Sequence, residues 1–321
     1  MWILLALIMM VVALKAFRGV NMLMVAPMTE LLTRVGSDNV FRPGWILHNI
    51  SEGGACFAVA ARTKDKESKI SAITGLGNNN FYLAKKNEKG EWLAPEEIED
   101  EVNTEFDEGT PSFSADGRSM YYTYCSQDPE SSRTAEIYVS SRSNAKWGKG
   151  VKVQLLKDSV TTLAHPSISP DGKYLFFVSD AMGGYGGKDI YRARAIGNDF
   201  GPIENLGPQI NTEGDEVFPY VRDSVTLYFA SDGHPGMGGL DLYKATRTPD
   251  GKWEIENMQT PINSAADDFG ITFAGTKETG FFSSNRNDAR GNDHLFSFDL
   301  PSITVQIEGI VSDADEYPIE D

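Results

Sequence analysis

"HPSISPDGKYLFFVSD", residues 165–180, is the stretch whose reading decides the fold. A proline enters an extended segment, the Asp171-Gly172 pair supplies a tight turn, and "YLFFVSD" follows as a half-buried aromatic strand. The next residues, "AMGGYGGKDIYRARA" (181–195), taken alone look like a glycine loop that cradles a phosphate. That reading fails on context. A phosphate loop opens directly into a helix and carries Lys-Ser/Thr, whereas "DIYRARA" is β-like.

The same pattern recurs. "TPSFSADGRSMYYTYC" begins at Thr110, "FPYVRDSVTLYFASD" at Phe218 and "GITFAGTKETGFFSSNR" at Gly270. The prolines Pro111, Pro166 and Pro219 are 55 and 53 residues apart, and the last copy has none. Each copy continues into a loop, a second strand ("EIYVSSR", "DIYRARA", "DLYKATR", "HLFSFDL") and, in the first three, a Trp- or Phe-containing turn and strand. The joining runs "VNTEFDEGTP", "INTEGDEVFP" and "INSAADDFGI" lead into the next copy. An earlier, more divergent copy reads "GACFAVAART" and "NNFYLAKKNEKGEWLAPEEI", so five copies are legible between about Phe41 and Leu300.

Four short strands per unit, repeated without helices, predict an all-β fold: a β-propeller of four-stranded antiparallel blades. One such sheet cannot bury both faces, but blades packed around an axis can, and closing the ring protects strand edges. Tyr121, Tyr122, Phe176, Phe177, Tyr228, Phe229, Phe281 and Phe282 are the expected filling between blades. In the glycine loops, the glycines are expected to supply positive-φ positions for long hairpin turns.

Composition narrows the function classes. The net charge is −17, which disfavours nucleic acid. The four histidines and two cysteines form no zinc spacing, and no nucleophile elbow occurs, so no metal, cofactor or catalytic residue is assigned. Cys56 and Cys125 sit in apolar strand-like runs and read as buried thiols, with a single bridge left open. "MWILLALIMMVVAL" gives 13 apolar residues after Met1, short of the about 20 of a membrane span. It fits an export signal or signal-anchor, a short hydrophobic helix over residues 1–30 that would make the only membrane contact.

The repeat resembles the PD40 or TolB-like propeller motif, and "PSISPDGKYLFFVSD" is a close match to it. The longer run from "SDAMGGYGGKDIY" through "DHLFSFDLPSI" resembles the propeller of OmpA-family envelope proteins similar to PorE, associated with type IX secretion. The resemblance implies six blades over 31–302 and an envelope location, periplasmic or outer-membrane associated. "ITVQIEGIVSDADEYPIED" is similar to the opening of a carboxypeptidase-regulatory-like sandwich, placed at 303–321 and truncated before a peptidoglycan-binding domain. The lipid-attachment cysteine expected in such proteins is absent. The partners implied are envelope proteins, within a peptidoglycan-associated assembly.

Two sets of acids are candidate binding residues. Clusters recur at the blade junctions: Glu105/Asp107/Glu108, Glu213/Asp215/Glu216 and Asp267/Asp268. Asp180, Asp189, Asp232 and Asp241 bracket the glycine loops. They could form a carboxylate ring for cations or a basic partner. Turn chemistry at Asn103-Thr104, Asn211-Thr212 and Asn263-Ser264, with the loop aspartates capping backbone N–H groups, explains them more simply. His165 is expected to face the central channel as a hydrogen-bonded structural residue. The expected function is a non-enzymatic interaction scaffold. The alternative is a propeller hydrolase, glycosidase-like, with paired carboxylates in the channel.

Overall fold

A computed structural model describes residues 26–27, 50–51, 54–60, 79–126, 135–157, 160–289, 291 and 293–300, the first three segments by backbone alone. The N-terminal helix expected within 1–30, apart from Ala26–Pro27, and the sandwich strand expected at 303–321 lie outside these residues. The first strand, β1 (Ala26–Pro27), belongs to the last sheet. Blade 1 is β2 (Ile50–Ser51), β3 (Gly54–Ala60), β4 (Asn79–Lys85) and β5 (Glu96–Glu97). Blade 2 is β6 (Asp107–Phe113), β7 (Ser119–Cys125), β8 (Glu136–Ser143) and β10 (Val151–Lys152), with β9 (Lys146–Trp147) folded back on β8. Blade 3 is β11 (Leu163–Ile168), β12 (Tyr174–Ser179), β13 (Asp189–Ile196) and β14 (Asp199–Asn205). Blade 4 is β15 (Glu216–Val221), β16 (Thr226–Ser231), β17 (Asp241–Arg247) and β18 (Trp253–Asn257). Blade 5 is β19 (Asp268–Phe273), β20 (Thr279–Ser284) and β21 (His294–Asp299), completed by β1.

All pairings are antiparallel, and the blades form a propeller-like ring. The described residues hold five sheets, the number legible in the repeats. The N-terminal strand β1 supplies the outer edge of the fifth, Ala26 opposite Ser297. Inner strands pack in sequence, β6 on β11, β11 on β15 and β15 on β19. Trp92 of blade 1 meets Phe281 of blade 5 edge-on at 5.8 Å, joining the two ends of the series.

The expected aromatics fill the spaces between blades: Tyr122, Phe177, Phe229 and Phe282 are almost wholly buried at equivalent positions of four blades. Each contributes about 1.5–3 kcal/mol of burial energy. The prolines have a use the sequence did not reveal. Register slips between Gly109/Ser112, Ala164/Ser167, Val217/Tyr220 and Phe269/Thr272, so every inner strand of blades 2–5 bulges at one place. The bulge residue has positive φ: Thr110 at 46°, His165 at 49°, Phe218 at 53° and Gly270 at 62°. Proline, with no N–H to leave unpaired, suits the next position, and Gly270 removes the strain in the copy that lacks one.

The bulges turn the inner strands towards one another. The His165 N–H donates to Thr123 Oγ1 at 2.9 Å, and the Phe218 N–H donates to His165 Nδ1 at 3.3 Å. His165 stacks on Phe218 with ring centroids 4.0 Å apart, and Phe218 stacks on Phe269 at 4.9 Å. His165 is 9% exposed and works as an inter-blade acceptor.

Blades 4 and 5 depart from the Asp-Gly turn for a visible reason. Arg222 reaches from blade 4 to the β19–β20 turn of blade 5. It donates to the carbonyls of Gly275 (3.3 Å), Thr276 (3.1 Å) and Lys277 (2.9 Å), and to Glu278 at 2.9 Å. Its guanidinium lies 4.0 Å from the Phe273 ring centroid.

Candidate functional site

Antiparallel strand order brings the junction loops and the glycine loops to one end of the blades. The asparagine that opens each junction acts as a lock. Asn211 Oδ1 accepts the Ile190 N–H at 2.8 Å, while its Nδ2 donates to the Ile190 carbonyl (3.0 Å) and to Asn205 (2.8 Å). Asn263 does the same with Leu242 and Asn257, and Asn103 with Phe81 and Ile98. Sequence reasoning took these asparagines for turn formers. Their partners lie 21 or 22 residues back for Ile190, Leu242 and Phe81, and only the repeated Asn-Thr/Ser spelling hinted at it.

The acid pairs divide their work by position. The first member ties its loop to the preceding blade: Asp107 accepts from the Asn79 N–H (2.8 Å), Asp215 from Lys188 (2.8 Å) and Asp267 from Leu240 (3.0 Å). The second member, Glu108, Glu216 or Asp268, is fully buried. Glu216 accepts the Thr212 N–H and hydroxyl (2.7 and 2.6 Å) and the Ser231 hydroxyl (2.6 Å). Asp268 accepts the Ser264 N–H and hydroxyl (2.6 and 2.9 Å) and is ion-paired with Arg286. Glu108 takes only Thr104, on Oε1, and its Oε2 has no partner. Burial pushes its carboxyl up to about 8 against the opposing pull of Thr104.

The loop aspartates hold the glycine loops. Asp189 accepts the N–H groups of Tyr185 (2.7 Å) and Gly186 (3.2 Å), and Asp241 those of Met237 (2.7 Å) and Gly238 (2.9 Å). A phosphate would need these same amides, and an internal carboxylate already occupies them. The expectation that the loop glycines supply positive φ needs correction. Gly183 alone among them has it, at 90°. The others are required by close approach: a Cβ on Gly186 would lie 2.3 Å from the Thr212 carbonyl oxygen, and one on Gly238 2.0 Å from that of Ala266. Asp180 accepts the Thr162 N–H and Asp232 the Asp215 N–H, each at 2.7 Å.

The structure therefore brings Asp180, Asp189, Asp215, Glu216, Asp232, Asp241, Asp267 and Asp268 to one end of the ring, each accepting hydrogen bonds within it. Among the described residues no three His, Cys, Asp or Glu side chains are grouped to hold a metal ion. Beside the exposed Asp180, Lys188 and Asp232, this end also displays three large apolar side chains. Met182 is fully exposed and Tyr185 and Met237 are about half exposed, all three on the glycine loops, with exposed Glu213 on the junction loop beneath. Sequence reasoning named the loops and missed these three residues, which only exposure reveals. Cys125, expected to be buried, is a free, partly exposed thiol that desolvation pushes up to about 12, and the side chain of Cys56 lies outside the described residues.

No protein-family model matches the sequence, and no curated protein matches it. Among solved structures the chain is similar in shape to TolB from Acinetobacter baumannii, with 16% identity, 68% of this chain and 59% of that chain covered, and a TM-score of 0.33. It is also similar to an alpha-L-arabinofuranosidase from Lactobacillus brevis, with 12% identity, 85% and 91% coverage and a TM-score of 0.49. A third is a prolyl endopeptidase with 13% identity, 78% of this chain covered and a TM-score of 0.39, of which the chain spans about a third (32%). None of these passes a residue role to this chain.

Proposed function

We propose that this chain is a non-enzymatic binding ring of the cell envelope, periplasmic or outer-membrane associated, which docks a protein partner on the glycine-loop end of blades 3 and 4. The observation that carries the reading is the outward display of Met182, Tyr185 and Met237 over carboxylates already committed to the ring's own hydrogen bonds. With a chain charge of −17, the complementary partner presents an apolar anchor flanked by basic residues. The apolar segment after Met1 and the TolB-like and OmpA-family resemblance of the repeat support the envelope location. The finer assignment is a peptidoglycan-associated assembly such as type IX secretion.

The test is capture from envelope extracts on immobilised protein, comparing the native chain with the Met182→Ser/Tyr185→Ser/Met237→Ser variant. The native ring should enrich a partner whose retention falls between low and moderate salt, and the exposed-site variant should lose it while melting normally. Equal capture by both proteins would remove the docking face. Sustained turnover of aryl glycosides or peptides by the purified chain would remove the non-enzymatic reading.

A further inference from the structure

The two glycine loops share one plan and are finished differently. Blade 3 reads "DAMGGYGGKD" (180–189) and blade 4 "DGHPGMGGLD" (232–241), so Met182 stands at the position of His234 and Tyr185 at that of Met237. Asp189 and Asp241 fix the two backbones alike, one accepting the Tyr185 N–H and the other the Met237 N–H. The side chains then diverge. His234 turns inward, its ring centroid 5.6 Å from that of Phe229 and 5.1 Å from that of Tyr243, and its Nε2–H donates to the Ile210 carbonyl. Blade 3 holds the equivalent rings, Phe177 and Tyr191, stacked at 6.1 Å, and a thioether makes favourable contacts with aromatic rings. Met182 nevertheless stays fully exposed, and Met237 is 42% exposed.

The other methionines among the described residues are shielded. Met120 is wholly buried in blade 2, and half-buried Met258 packs against the core of blade 4. A thioether has no acidic proton, so its reactivity towards an oxidant follows how freely that oxidant reaches the sulfur lone pairs. Exposure therefore singles out the two methionines that the docking face displays.

We propose that Met182 and Met237 form a reversible oxidation site, through which hydrogen peroxide releases the partner from the glycine-loop end. A sulfur lone pair attacks one peroxide oxygen, and the S–O bond forms as the O–O bond breaks. The other oxygen leaves with both protons as water, so sulfur gives up two electrons and the peroxide takes them. The sulfoxide is polar and accepts hydrogen bonds, so it holds water where docking has to shed it. The ring beneath is untouched, because the loops hang on backbone N–H groups bonded to Asp189 and Asp241 and on no thioether. The inference rests on the binding-ring reading and adds its regulation.

For the test, the full chain is treated with dilute hydrogen peroxide, desalted, and divided between peptide mass mapping, thermal melting and the envelope capture described above. Mapping should find one added oxygen on each of Met182 and Met237 at least about fivefold faster than on Met258, with Met120 unmodified until the ring unfolds. Melting should stay native. Capture should fall at least about tenfold, and should return after treatment with dithiothreitol and both methionine sulfoxide reductases, one for each sulfur epimer. In that repair two thiols join as a disulfide and the sulfoxide oxygen leaves as water. The Met182→Leu/Met237→Leu variant keeps the apolar surface and every other oxidisable group, Cys125 included. It should capture as the native chain does, with or without peroxide.

Three results would each overturn the oxidation site while leaving the docking face in place. These are oxidation of Met258 or Met120 as fast as that of Met182, undiminished capture by the doubly oxidised ring, and a leucine variant as sensitive to peroxide as the native chain. An unoxidised native chain that captures nothing removes the docking face itself, and the release with it.

Discussion

Arg222→Ala should be among the most damaging substitutions at any exposed turn of this ring. The side chain is 12% exposed and makes four charge-assisted hydrogen bonds across the blade 4–blade 5 boundary, besides its contact with Phe273. The three freed carbonyls lie on an exposed turn and would be taken up by water, so no desolvation penalty adds to the loss. What disappears is the net worth of bonds to a charged donor, about 1.5–3 kcal/mol, and a cation–π contact of about 0.5–1 kcal/mol. The sum is roughly 2–4 kcal/mol, or about 4–8 °C in Tm for a ring of this size. Arg222→Lys should recover only part of this, because one ammonium cannot span three successive carbonyls. Thermal and urea unfolding of the three proteins measures it. A loss below about 1 kcal/mol, or a lysine variant as stable as the native chain, would refute the clasp.

Asn263→Ala removes three buried hydrogen bonds to Leu242 and Asn257 and should cost about 2–4 kcal/mol in urea unfolding, more than any exposed asparagine. Gly238→Ala drives a methyl group into the Ala266 carbonyl and should lower Tm clearly, whereas Gly251→Ala, strained only by its φ of 85°, should cost about 1 kcal/mol. Glu108 binds its proton more tightly when folded, at about 8 against an ordinary 4.5, so its contribution to stability is greatest in acid and is lost as the pH rises to 8. Glu108→Gln should flatten that slope and gain up to roughly 4 kcal/mol relative to the native chain at pH 9, read from paired denaturation curves. Parallel pH curves for the two proteins would sink the assignment.

The blade pattern was legible because period-two strands and aspartate–glycine turns are local signals, repeated often enough to outweigh divergence. "YLFFVSD" names its strand from its own composition, and the structure finds β12 there. The bulges at Thr110, His165 and Phe218 were invisible because a proline in a strand reads equally well as an edge, and only register shows two residues facing one. The glycine loops were correctly taken for hairpins. Their glycines nevertheless answer to the neighbouring junction loop, a contact some 26 residues away from Gly186, which no local rule carries. The acids at the junctions were singled out by repetition, yet the difference that matters, Glu108 without the donors of Glu216, arises from Tyr124 on another strand.

The fifth sheet takes its outer edge from Ala26–Pro27, the first described residues of the chain, while its other three strands come last. During synthesis those two residues emerge well before their partners and must wait for β21. The seam can only be sealed after β21 has left the ribosome, and a leader peptidase that cut beyond Pro27 would strip it and leave β21 as a raw edge.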